Sequence, residues 1–215
     1  MAIALIQSKT DTSGALSLAF NADNTAGNML IVLATCSPGM TPDTYTISDT
    51  RGNTYVTLPS RYYPIGGFCQ LFYAFNSAAG SNTITLASTG PQLTTTLALH
   101  EFSGVSALDV HAAATGSGTS QDSGPITTNF ANALLFGYEA SAAQAIVTPG
   151  IGWTQAEGFP VCFLTQYKVV SAIGTYNSTT TSTTNKGGAC NWAEEILAFY
   201  SSASSPVPRT SIIEF

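Results

Sequence analysis

Runs of five to ten β-favouring residues, separated by clusters of Gly, Asn, Pro, Asp and Ser, recur from one end of the chain to the other. Residues 28–37 are apolar on both faces of an extended chain, which predicts a fully buried strand. Further strands are predicted at 3–8, 16–20, 44–48, 54–58, 68–75, 82–87, 93–102, 124–128, 133–140, 153–157, 162–170, 174–181 and 192–200. The run Asp49-Thr-Arg-Gly-Asn53 reads as a tight turn, with Gly and Asn available for positive φ. Helical periodicity is almost absent; its best candidate, 140–147, is short and lies between strand-like segments.

Many short strands with Gly-rich turns, some apolar on one face and some on both, predict an all-β fold: a two-sheet antiparallel β-sandwich, jelly-roll-like, with an extended C-terminal strand. No internal repeat at a fixed period is visible, which argues against propellers and solenoids. Residues 1–200 read as the β-sandwich domain, 201–208 as a Ser/Pro linker, and 209–215 as a separate C-terminal strand. Pro206 and Pro208 favour extended backbone in the linker. In the strand, Thr210, Ile212 and Glu214 alternate with Ser211, Ile213 and Phe215 after Arg209.

Composition narrows the partners. Charged residues make up 8% of the chain and the net charge is −6, with six Lys and Arg scattered singly. Nucleic acid and anionic membrane surfaces are therefore not expected partners. The Ser-, Thr- and Gly-rich surface suits a secreted or cell-surface protein, although residues 3–6 are too short an apolar run for an export signal. Cys36, Cys69, Cys162 and Cys190 are widely spaced in apolar runs, so zinc is not expected; buried thiols and disulfides between strands both fit.

The runs Ala26-Gly-Asn-Met-Leu-Ile-Val-Leu33, Ser48-Asp-Thr-Arg-Gly-Asn-Thr-Tyr55, Phe72-Tyr-Ala-Phe-Asn76 and His100-Glu-Phe-Ser-Gly-Val105 come in that order. Ser123-Gly-Pro-Ile-Thr-Thr128, Leu134-Leu-Phe-Gly-Tyr138, Gly152-Trp-Thr154 and the closing run 192–199 follow. Together, over roughly residues 5–200, they resemble an uncharacterised β-sandwich domain that recurs in large secreted bacterial proteins. The resemblance implies an adhesive, carbohydrate-associated or scaffold role and supplies no catalytic residues. The linker and strand beyond residue 200 depart from it.

Catalysis is not expected. His100 and Glu101 point to opposite faces of a strand, as do Glu194 and Glu195. Asp109 and His111 share a face, yet no nucleophile motif accompanies them. These groups are expected as solvated surface residues or loop hydrogen-bond partners. Asp43, Asp49 and Asp122 fall in loops without the dense carboxylate pattern of a calcium site, and no metal or cofactor is expected. Tyr62, Tyr63 and Trp153 are candidate sugar-stacking residues, whereas Trp192 reads as core. Asn177, in Asn177-Ser-Thr179, is the one glycosylation sequon; a hydroxyl-rich edge strand explains the same run.

The functional weight falls on Arg209–Phe215. A strand that short is not stable alone. The expectation is a structural subunit of an extracellular fibril, polymerising head-to-tail as each copy inserts this strand into the next. The alternatives are a carbohydrate-binding or adhesin module and a phage particle component.

Overall fold

The computed structural model describes residues 2–36, 45–63, 67–88, 95–141, 145–159, 163–184 and 190–201. Arg209–Phe215, Asp43 and Cys162 lie outside the described residues.

The first half of the chain runs through β1 (Ala4–Asp11), β2 (Ser17–Ala19), β3 (Met29–Cys36), β4 (Tyr45–Asp49), β5 (Val56–Thr57), β6 (Arg61–Tyr63), β7 (Gly67–Ala74), β8 (Thr83–Ser88) and β9 (Thr95–Ser103). The second half runs through β10 (Ala107–Ser117), β11 (Ser120–Asp122), β12 (Ile126–Thr127), β13 (Ala133–Ser141), β14 (Ala145–Pro149), β15 (Thr154–Phe159), β16 (Phe163–Val170), β17 (Thr175–Tyr176), β18 (Thr179–Thr184) and β19 (Asn191–Tyr200). Every strand pairing is antiparallel. The run that looked most helical instead ends β13 and begins β14.

Two central sheets pack face to face. One has the order β1-β9-β3-β7, with β5 and β6 both on β7; the other has the order β10-β19-β13-β16-β15. Their shared core interleaves Met29, Ile31, Leu33, Leu71, Tyr73 and Phe102 with Leu134, Phe136, Tyr138, Leu197 and Phe199. The antiparallel β-sandwich expected from the pattern is present, and each central sheet carries a further layer on its outer face. The layer β2-β8-β4 covers the first sheet, and β11-β18-β14 with the pair β12-β17 covers the second. Central strands covered on both sides must be apolar on both sides, which is why β3 and β7 are buried at every position.

The two halves repeat one strand order. Replacing β1, β9, β3, β7, β6 by β10, β19, β13, β16, β15 converts the first central sheet into the second, and β2-β8-β4 becomes β11-β18-β14. Both edge strands break register at one residue, Ile6 between Leu5 and Gln7, and Asp109 between Leu108 and Val110. Aligning these bulges sets Phe102, opposite Leu5, against Phe199, opposite Leu108. The same register matches His100 with Leu197, Leu97 with Glu194, Ala34 with Glu139, and Lys9 with Ala112. The turn between the halves is tight: Gly104 has φ +73, and a Cβ on it would lie 2.5 Å from the Ala2 carbonyl oxygen.

Candidate functional site

The ends and edges of the central sheets are where an added strand would act. Within the described residues, the four strands bordering these sheets are β1, β10, β15 and the β5/β6 side. β15 and β6 each lie against the opposite half: Ser8 Oγ of β1 donates to Glu157 Oε1 and lies 3.1 Å from the Ala156 carbonyl oxygen, and Arg61 Nη2 meets Glu195 Oε1 at 3.2 Å.

β1 is guarded. Lys9 sits mid-strand and its ammonium donates to the Ala19 carbonyl, while Asn21 Nδ2 donates to the Ser8 carbonyl at 3.0 Å. Charges and capped carbonyls on an edge discourage a further strand. β10 carries such features only at its start, where Asp109 sits at the bulge and accepts from Asn129; from Ala112 to Ser117 it has no charged side chain. At eleven residues it is the longest strand in the protein, and its middle reads Ala112-Ala-Ala-Thr115. Ala112 and Ala114 stand where β1 carries Lys9 and Asp11. Among the described residues, β10 pairs with β19 and with no strand on its other edge. The chain leaves β19 at Tyr200, directly opposite Ala107, the first residue of β10. Phe130 stacks on Tyr200 there at 3.8 Å between ring centroids, fixing the exit point.

Beside this edge lies a polar network that joins the halves. Glu195, fully buried, accepts from His111 Nδ1 at 2.9 Å, Arg61 Nη2 and the Tyr138 hydroxyl at 2.9 Å. Cys69 Sγ donates to the Tyr138 oxygen. Burial pushes the Cys69 thiol up to about 12, so it is not a nucleophile at neutral pH. Asp109, at the bulge, turns away and accepts from Asn129 N and Nδ2. The expected shared face of Asp109 and His111 is therefore absent, because the bulge shifts the register between them.

The carboxylates Glu101, Glu194 and Glu195, expected at the surface, are in fact 0% exposed, and so is Glu139, which the sequence did not single out. Glu101 accepts four hydrogen bonds, from Gln7 Nε2, Asn24 Nδ2, Thr25 N and Asn28 Nδ2. Burial opposes ionisation, but these donors outweigh it and hold the carboxyl below its ordinary range. It ties β1, β3 and β9 to the loop before β3. His100, its neighbour, points into the shared core against Phe136, with neither ring nitrogen partnered. Burial pulls it down to about 3.

Glu139 and Glu194 are register partners on the outer face of the second central sheet. Above Glu194 lie Ser178, just before β18, and Thr180 of β18: Ser178 Oγ lies 2.7 Å from Glu194 Oε1, and Thr180 Oγ1 lies 3.0 Å from Glu194 Oε2. Gly137 makes this approach possible, because a Cβ there would collide with Ser178. Thr180 also bonds Gln121 Oε1. One hydroxyl proton cannot serve two acceptors, so a protonated Glu194 donating to Thr180 satisfies both contacts. Burial pushes Glu194 up to about 7 and Glu139 up to about 8, and the Glu194 charge adds to the latter. Glu194 is thus held among hydroxyls, whereas neither carboxyl oxygen of Glu139 has a hydrogen-bond partner among the described residues. Among the described residues no group of three His, Cys, Asp or Glu is placed to hold a metal ion.

The remaining sequence candidates separate. Tyr62 is exposed and its ring leans on Phe68. Tyr63 is in the core, with its hydroxyl donated to the Cys36 carbonyl, which removes it as a stacking platform. Trp153 is half-buried against Ile126 and Val170, far in sequence and sheet from Tyr62, so the aromatics form no common platform. Asn177 donates its amide nitrogen, the atom a glycan would take, to both oxygens of Asp122. Asp49 closes its turn by accepting from Arg51 N and Asn53 N. Cys36, Cys69 and Cys190 are buried thiols. Sequence reading missed Tyr138, Glu139 and Gln166, whose only signal was a polar residue inside an otherwise apolar run. It also missed β10, whose Ala-rich sequence lacks strand propensity.

Comparison of the chain with family models, with curated proteins and with solved structures found no match.

Proposed function

We propose that this protein is a structural subunit of an extracellular or cell-surface fibril, built as each copy adds its C-terminal strand to a sheet edge of the next. The observation that carries the reading is the edge of β10 from Ala112 to Ser117, free of charged side chains and, among the described residues, of a partner strand, on a strand that begins beside the point where the chain departs at Tyr200. Long open edges are aggregation hazards that β proteins ordinarily cover, twist or charge. Among the described residues β1 is guarded and its topological counterpart β10 is unpaired on its outer edge, which fits an edge kept for a partner strand. Arg209–Phe215 supplies a strand of matching kind: seven residues, β-branched and aromatic, on a Pro-stiffened linker. Donor and acceptor are different surfaces, so the contact is head-to-tail and propagates into a filament. Structure-bearing rather than catalytic work also suits the interior, where each polar cluster ties strands together and the one cysteine among them is held as an unreactive thiol.

The test compares the full chain with a variant lacking residues 209–215, by light scattering and negative-stain electron microscopy. The full chain forms filaments and the truncated one stays dispersed. Equal assembly states for the two overturn the reading.

A further inference from the structure

We infer that the acceptor of the C-terminal strand is the free edge of β10, and that the strand it takes is Arg209–Phe215 of a second copy, paired antiparallel. This rests on the reading above and deepens it by naming the surface.

Three observations converge on β10. The first is the difference between matched edges. Lys9 and Asp11 of β1 project from the face that packs under the outer layer, and their counterparts Ala112 and Ala114 are methyl groups. Cross-strand neighbours on one face lie about 5 Å apart, so small side chains on the acceptor leave room for large ones on the incoming strand. Ile212, Ile213 and Phe215 are the large ones, and Val110 and Ala112, already packed against the Ile126 and Val170 cluster, extend an apolar floor to the edge.

Direction supplies the second observation. Every pairing described is antiparallel, and β10 runs away from Ala107, where the same chain departs. For its own tail to pair antiparallel, the linker must first climb along β10 before the strand returns. Residues 201–208 span about 25 Å at polyproline spacing, whereas the eleven residues of β10 span about 36 Å. A chain's own tail therefore cannot start at the Ser117 end; a seven-residue strand could start about 23 Å up β10, but only with its linker laid along the edge it is meant to fill. A neighbour's tail carries neither constraint.

The third is what surrounds the edge. His111 of β10 is held by Glu195, which is itself anchored by Arg61 and Tyr138. The edge is thus braced against the other half of the molecule before any partner arrives, so little ordering cost is left for binding. Among the described residues β1 offers no comparable unpaired run, since its Ser8 carbonyl is already taken by Asn21.

The experiment separates donor from acceptor. An edge-blocked chain carries Ala112→Lys and Thr115→Lys, the first restoring the residue type of Lys9; an acceptor-only chain lacks 209–215. Each alone is expected to remain monomeric by size-exclusion chromatography with light scattering. Mixed in equal amounts, they are expected to form a heterodimer that grows no further. If the edge-blocked chain forms filaments like the parent, the β10 assignment is overturned while strand-driven assembly stands; if the truncated chain forms them, that reading falls too. A mixture that stays monomeric also overturns the assignment. Thr115 is exposed, so Thr115→Lys alone is a second block that leaves the folded domain intact should the double variant lose its thermal transition; unimpaired filaments from it count against β10 in the same way.

Discussion

The two halves of this protein share a strand order and differ in what they bury beneath their outer layers. In the first half, Ala34 and Leu97 meet Ile84 and Leu86 in an apolar interface. At the matched positions the second half buries Glu139 and Glu194 side by side, Glu194 under the hydroxyls of Ser178 and Thr180 and Glu139 without a hydrogen-bond partner among the described residues. The edges differ in the same sense, guarded on β1 and, among the described residues, unpaired on β10. A fold that repeats in topology need not repeat in chemistry: where the first half places Leu97 the second places Glu194, and where β1 places Lys9 β10 places Ala112.

The largest expected effect comes from exporting one chemistry into the other. Leu97→Glu sets a carboxyl in an interface with no hydroxyls to receive it and should cost about 4 kcal/mol, read by denaturant unfolding; a loss below about 1 kcal/mol would mean the apolar layer is not specified by packing.

Glu101→Ala comes next. It leaves Asn24, Asn28 and Thr25 N as buried donors without their acceptor and should cost about 3 kcal/mol. Because the Glu101 pKa is lowered in the fold, its stabilisation is present above the unfolded carboxyl range and fades as pH falls below about 4. The variant should therefore differ from the parent less at pH 3 than at pH 7.

Glu139 shifts the other way. Its folded pKa is raised to about 8, so the folded state is favoured while the acid is protonated and loses stability as pH rises from the unfolded range toward 8. Glu139→Gln, a mimic of the protonated acid, should raise Tm at pH 8.5 by roughly 5 °C and change it little at pH 5. An equal shift at both values would show that the effect is packing and not protonation.

The smallest of the four is His100→Leu, which installs the residue found at the matched position, Leu197. The folded pKa of His100 is depressed to about 3, so parent stability falls as pH drops below the unfolded range near 6.5. The variant should gain about 2 kcal/mol at pH 5 and less at pH 8. No pH dependence in the gain would place a partner on the ring.

The layered all-β organisation was legible in the sequence because β3, β7, β13 and β19 are apolar runs bounded by turn residues. The outer layers were not expected from the sequence, although the two apolar faces of residues 28–37 are what such cover requires. The repeat was hidden, since the positions that correspond, His100 and Leu197 or Leu97 and Glu194, share register and not residue type. β10 was hidden for a different reason: an edge strand needs no large side chains, and Ala112-Ala-Ala114 carries no strand signal of its own. The buried acids were misread as surface groups because a lone Glu in a strand gives no sign of the donors that the fold brings to it from 70 or more residues away, as Asn24 and Asn28 are brought to Glu101.

Amide hydrogen exchange on the assembled and the dispersed protein tests the central claim most directly. In the dispersed full chain the outward amides of Ala107–Ser117 should exchange fast, and in filaments the same amides and those of Arg209–Phe215 should become protected together. Protection that appears instead along Ala4–Asp11, or on 209–215 with β10 unchanged, would contradict the account.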